Sequence, residues 1–312
     1  MHQFQNILFV SYGMRDEMDG LKQALSLARN NHAALKILIV CPELPSSHEE
    51  YRKSYEEFLK ERMEQSIQAT KTVLKMKEKE PQISIQIDCG TVPAVRIIRH
   101  VLRSAHDLVI KEAEPKKGGK GFEALDLALL RQCPCPVWLC RPIKHSRDNI
   151  KVAVAIDPES EEQVGRDLAL RLLQLSRALA DSCSGELTII SCWAYPYEDY
   201  LSDRVFIKIS KKELNEIVLQ AQTEHLLALE ALIKEGNISD RYQIQHVKGR
   251  PEQRIQEIIE EKKIDVLVMG TVARTGIPGF IIGNTAESVV QQLSCSLLAL
   301  KPNGFISPVT AY

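Results

Sequence analysis

Short β-branched apolar runs alternate along the chain with longer segments whose apolar residues recur every three or four positions, the mark of parallel strands covered by helices. Strands are predicted at residues 6–12, 35–41, 83–89, 107–112 and 136–140, and again at 150–156, 187–193, 242–248, 265–269 and 296–300, with helical patterns between them. In each half a glycine followed closely by proline ends the third strand, at Gly90-Thr91-Val92-Pro93 and Gly249-Arg250-Pro251. Proline in a helix's first turn forfeits no hydrogen bond, so helices are predicted over 93–104 and 251–262. Longer patterns at 49–78 and 211–235 carry Glu and Lys three or four positions apart, as solvated outer faces do.

The order of elements is written twice. Pro93 answers Pro251 and Asp107 answers Asp265, both at an offset of 251 − 93 = 158 residues, and residues 135–142 answer 295–302 at an offset of 160. The opening strands stand about 145 apart, so the second half holds about a dozen extra residues before its third strand. The class is α/β, in two domains, 1–143 and 149–303, divided at the polar stretch that follows Pro142.

Composition narrows the function. With 40 Lys+Arg against 41 Asp+Glu the formal charge is -1, and without a basic surplus nucleic acid is not an expected partner. No run approaches the roughly 18 to 20 apolar residues that cross a bilayer, and residues 1–6 lack the features of a signal peptide. No membrane association and a cytoplasmic location are therefore expected. The eight cysteines are then expected to be reduced thiols. Cys133-Pro134-Cys135 with Cys140 fits neither Cys-x-x-Cys nor a zinc knuckle, and the eight histidines form no His-Glu-x-x-His, so no metal is expected. The nucleophile elbow Gly-x-Ser-x-Gly does not occur.

Chemistry concentrates in residues 268–287, which run from the end of a strand to the start of a helix. Gly270 admits close approach of a ligand to backbone, while Gly283, Asn284 and Thr285 present N–H groups and a hydroxyl at a helix N-terminus, a corner suited to phosphate. In an open α/β sheet that corner lies at the strands' carboxyl ends, where ligands bind.

At these residues the chain resembles the universal stress protein family, whose nucleotide-binding members carry Gly-x2-Gly-x9-Gly-Ser/Thr after the fourth strand. Gly270 and Gly283 fit the first and last glycines, Ala273 stands at the middle one, and Asn284 stands where Ser or Thr follows. The likeness runs through Gln5-Asn6-Ile7-Leu8, residues 129–134 and residues 283–287, and so covers both halves. It implies two tandem Rossmann-like domains, each a five-stranded parallel sheet of order 3-2-1-4-5. It also implies a pocket for ATP or a related adenine nucleotide in the second domain. Ala155, Ile156 and Asp157 would stand at its nucleoside end, with Met269, Gly270, Val272, Ala273, Arg274, Gly283, Asn284 and Thr285 at its phosphate end. Arg274 reads either as a phosphate donor or as an exposed loop arginine. Single-domain members pair through their last strands, so residues 136–140 and 296–300 are expected to join the halves as an intrachain pseudo-dimer, to which a homodimer of chains could be added.

The first half departs from the pattern. Tyr12 stands in the place of Asp157, and Lys111-Glu112-Ala113-Glu114 replaces small residues with carboxylates that repel phosphate. The basic glycine loop at 116–121 closes on no Gly-Lys-Ser/Thr. This copy is expected to be degenerate. Three readings of function follow: a non-catalytic stress-response sensor or adaptor that binds nucleotide in the second domain and passes occupancy to unnamed protein partners, a ligand-free interaction scaffold, and a weak nucleotide hydrolase. The first fits the residues best.

Overall fold

Ten strands form one sheet, in the order β3-β2-β1-β4-β5-β10-β9-β6-β7-β8. In this computed structural model the described residues are 3–77, 81–114, 118–160, 162–202, 209–238, 241–271 and 282–312. The first half runs β1 (Asn6–Ser11), α1 (Met18–Asn31), β2 (Ala34–Cys41), α2 (Arg52–Val73), β3 (Ile83–Cys89), α3 (Pro93–Ser104), β4 (Leu108–Glu112), α4 (Ala124–Gln132) and β5 (Val137–Cys140). The second runs β6 (Lys151–Ala155), α5 (Gln163–Ser182), β7 (Glu186–Trp193), α6 (Glu198–Ser202), α7 (Lys211–Glu235), β8 (Tyr242–Lys248), α8 (Pro251–Lys262), β9 (Val266–Gly270), α9 (Asn284–Gln292) and β10 (Ser296–Leu300). Each half is thus ordered third, second, first, fourth, fifth strand, and pairing is parallel within it.

Inner strands such as β5 and β10 are buried along their whole length, which explains their unbroken apolar sequences, whereas the edge strand β3 alternates in burial. One core lies between the sheet and α1, α2, α5 and α7, with Leu21, Leu59, Leu173 and Leu229 fully or nearly fully buried. The other lies under α3, α4, α8 and α9, around Ile97, Leu129, Ile255 and Val289. Both cores continue from one half into the other.

The halves meet where β5 and β10 pair antiparallel, Trp138 opposite Leu298. Two short apolar strands whose backbone edges would otherwise be open satisfy each other there. Polar contacts reinforce the seam: the Arg141 N–H donates to Ser296 Oγ at 2.9 Å, Gly121 N–H to the Leu293 carbonyl at 2.9 Å, and Lys120 pairs with Glu260 at 2.5 Å. The C-terminal segment returns to the first half, where Arg103 on α3 donates to the Ala311 carbonyl at 2.6 Å and lies over the Tyr312 ring.

Two features differ from the sequence reading. The pattern at 49–78 resolves into a 3₁₀ turn, Ser46–Tyr51, followed by a helix that stops at Val73. The expectation of eight free thiols is corrected as well: Cys41 and Cys89 face each other in the β2–β3 register and are joined by a disulfide. Their separation of 48 residues conceals that adjacent parallel strands bring their last residues together. The remaining six cysteines are free thiols.

Candidate functional site

The second-half corner is built by two neighbouring strands, since β6 and β9 pair with Ala155 opposite Met269. Asp157 therefore leaves the sheet beside Gly270, at the carboxyl edge. Ile156 is buried and anchors the turn, and half-buried Asp157 accepts a hydrogen bond from the Glu159 N–H at 3.0 Å. Beyond β9, the Thr271 N–H donates to the Leu300 carbonyl at 3.0 Å, and the Gly283 N–H donates to the Thr271 carbonyl at 3.0 Å. That second bond ties the ends of the loop together. Gly283 is the N-cap of α9 and has no side chain with which to cap it, so the helix's first N–H groups need partners from outside the helix. Asn284 and Thr285 are exposed in this first turn.

The structure thus brings Ala155, Ile156, Asp157, Met269, Gly270, Gly283, Asn284 and Thr285 to one end of the sheet. Val272, Ala273 and Arg274 lie outside the described residues. A Cβ at Gly270 would meet Leu168 Cδ2 at 3.0 Å and Leu172 Cδ1 at 3.8 Å, so the missing side chain makes room for α5.

The equivalent corner of the first half is filled by its own side chains. Val10 pairs with Lys111, so Tyr12 stands where Asp157 does and Lys111 where Met269 does. The Lys111 ammonium, fully buried, donates to Asp126 Oδ1 at 2.8 Å and to the Glu112 carbonyl at 3.0 Å, and lies 3.5 Å from Glu114. Asp126 Oδ2 accepts from the Glu114 N–H at 3.2 Å, and the Tyr12 hydroxyl donates to the Glu114 carboxylate. Arg15 covers the Tyr12 ring at 4.6 Å. A lysine from the strand thus supplies the positive charge that an uncapped helix end would otherwise offer, and it spends that charge on carboxylates of the same half.

One carboxyl beside this network titrates in an unusual range. Burial pushes Glu112 up to about 7, against the stabilising Gly20 N–H at 2.7 Å, and Glu17, Asp19 and Asp16 add to the rise. The folded chain then holds the Glu112 proton more tightly than the unfolded chain does, so the group favours folding as pH falls from about 7 towards 4.5 and loses that contribution as pH rises. Glu112→Gln, which mimics the protonated form, should gain on wild type in urea midpoint at about pH 8 and lose that advantage near pH 5. A difference that stays constant between those conditions would refute the assignment.

Spacing did not reveal two further groups near Asp157. Carboxylate oxygens of Asp157 and Glu159 and a ring nitrogen of His225 lie within 4.8 Å of one another, although His225 comes from the middle of α7. Only the fold brings them together.

Comparison with known proteins accords with this architecture. Residues 3–141 and 150–301 match the sequence pattern of the Universal stress protein family. Universal stress protein E of Photorhabdus laumondii is 30% identical over 319 residues, spanning 100% of this chain and 99% of that one. Universal stress protein E of Escherichia coli K12 is 33% identical over 233 residues, spanning 73% of this chain and 71% of its own. A crystal structure of a functionally unknown protein from Pseudomonas aeruginosa PAO1 shares the fold, with a TM-score of 0.71 and 23% identity over 97% of this chain and 95% of that one. With both halves matched and the order of elements repeated in each, the chain belongs to the universal stress protein family.

Proposed function

We propose that this chain is a non-catalytic, nucleotide-responsive adaptor of the cytoplasm, binding ATP or a related adenine nucleotide at the second-half corner and presenting the occupied state to a protein partner. The observation that carries this reading is the juxtaposition of the α9 N-terminus, tied to β9 through Thr271 and Gly283, with Asp157 on the neighbouring strand end. Phosphates would meet the N–H groups of the first turn of α9, while Asp157 would accept hydrogen bonds from the nucleoside end. Val272, Ala273 and Arg274 would complete the loop around the phosphates. Transmission has a route, because Glu287 on α9 pairs with Arg131 of the first half at 2.5 Å, so displacement of α9 bears directly on α4.

Calorimetric titration with ATP tests the reading. Gly283→Val should abolish binding by placing a branched side chain at the N-cap, and Asp157→Ala should weaken it roughly tenfold to a hundredfold, the scale of one charged hydrogen bond. Ala273→Gly, which restores the family's middle glycine, should tighten it. Unchanged affinity in Gly283→Val would move the nucleotide elsewhere. Absence of binding in both wild type and Ala273→Gly would leave the scaffold reading in its place.

A further inference from the structure

At the outer side of Asp157 the second half gathers groups that the nucleotide reading does not use. His225 is 3% exposed on α7, one turn before the buried Leu229, and its Nδ1 lies 3.0 Å from Nε2 of His246 on β8. The two rings stack with centroids 5.0 Å apart, and Trp193 also stacks against His246 at 5.9 Å. Lys248, which lies over Trp193, is paired with Glu198 at 2.6 Å. The histidine pair is therefore clamped between a helix and two strand ends. A nitrogen-to-nitrogen contact of this length needs one proton, shared as a donor and an acceptor. When His225 Nδ1 donates it, His225 Nε2 carries a lone pair.

We propose that Asp157, Glu159 and His225 bind a divalent transition-metal ion of the zinc class, with His246 as the positioning residue that fixes the tautomer and ring of His225. One imidazole and two carboxylates form a donor set such ions accept, and a second residue holding the other ring nitrogen is the usual support of a metal-bound histidine. The dimensions are compatible. Ligand atoms of a tetrahedral site with bonds of about 2.1 Å stand about 3.4 Å apart, whereas those of Asp157, Glu159 and His225 lie within 4.8 Å of one another. Glu159 is exposed and free to close the remainder by side-chain rotation, while His225 is held in place. Three protein ligands leave one position for water or an anion.

The test uses the full chain without nucleotide, so its result stands apart from the nucleotide reading. Calorimetry with Zn²⁺ and the visible d–d spectrum of Co²⁺ should show one ion per chain. A variant with Cys133 and Cys135 both changed to serine should bind equally, which removes that adjacent thiol pair as the source. Glu159→Gln, exposed and harmless to folding, should weaken binding at least tenfold; His225→Gln should remove it; and His246→Gln should weaken it roughly tenfold to a hundredfold while leaving the stoichiometry at one. Circular dichroism checks that each variant is folded. Lack of binding in wild type, or equal binding in Glu159→Gln and wild type, would overturn the site.

Discussion

Asp126→Leu should destabilise the first half by about 3–5 kcal/mol, because it leaves the Lys111 ammonium buried without its principal counter-charge. Both groups are fully buried, and Lys111 sits 2.8 Å from Asp126. Burial opposes the ionised form of Asp126, and Lys111 works against that penalty both as a nearby charge and as a hydrogen-bond donor. The pair is thus a coupled unit. Lys111→Met in the Asp126→Leu background should recover most of the loss, since an apolar pair of similar volume avoids desolvating two charges. Urea unfolding followed by circular dichroism and by fluorescence of the two tryptophans, Trp138 in the first half and Trp193 in the second, reads the effect. A loss under 1 kcal/mol in Asp126→Leu, or a double variant worse than the two singles combined, would contradict the network described.

The second large effect is expected at Cys41 and Cys89. Their bond closes a loop with a sequence separation of 48 residues. On the chain-entropy account, cross-linking a loop of that size stabilises the fold by about 4 kcal/mol, with typical measured values of about 2–4 kcal/mol. Thiol titration of the unfolded, unreduced protein should count six reactive groups, rising to eight after reduction. Reductant or Cys41→Ala should lower the urea midpoint by a corresponding amount. Eight thiols before reduction would show the bond to be absent. Where glutathione keeps thiols reduced the bond would be open and the fold would lack this contribution.

Most of the architecture was legible because it depends on local period and on repetition. Unbroken apolar runs such as Val266 to Gly270 mark strands buried on both faces, and Pro93 and Pro251 mark the starts of α3 and α8 in the structure as in the sequence. The candidate corner was legible to the same extent, since Gly283 and Asn284 carry the local signature of a helix start. What the sequence concealed is non-local. Nothing in one dimension indicates that Leu168 occupies the space left by Gly270, or that Cys41 lies opposite Cys89. Lys111 reads as one charge at the end of a predicted strand until the fold supplies Asp126 and Glu114 around it. His225 reads as one polar residue on an amphipathic helix, and only the packing of α7 on the sheet gives it His246 and Asp157 as neighbours.

The antiparallel seam of β5 with β10 has a consequence for how the two copies diverge. Two separate chains meeting through such strands would associate according to their concentration and come apart on dilution. Here both strands belong to one polypeptide, so their encounter is unimolecular and persists however scarce the protein is. A symmetric pair must also accept every change twice. This linked pair does not: one corner can close around Lys111 while the other keeps glycine at its helix N-cap, and on the proposed function a single molecule would carry an internal reference beside a responsive half.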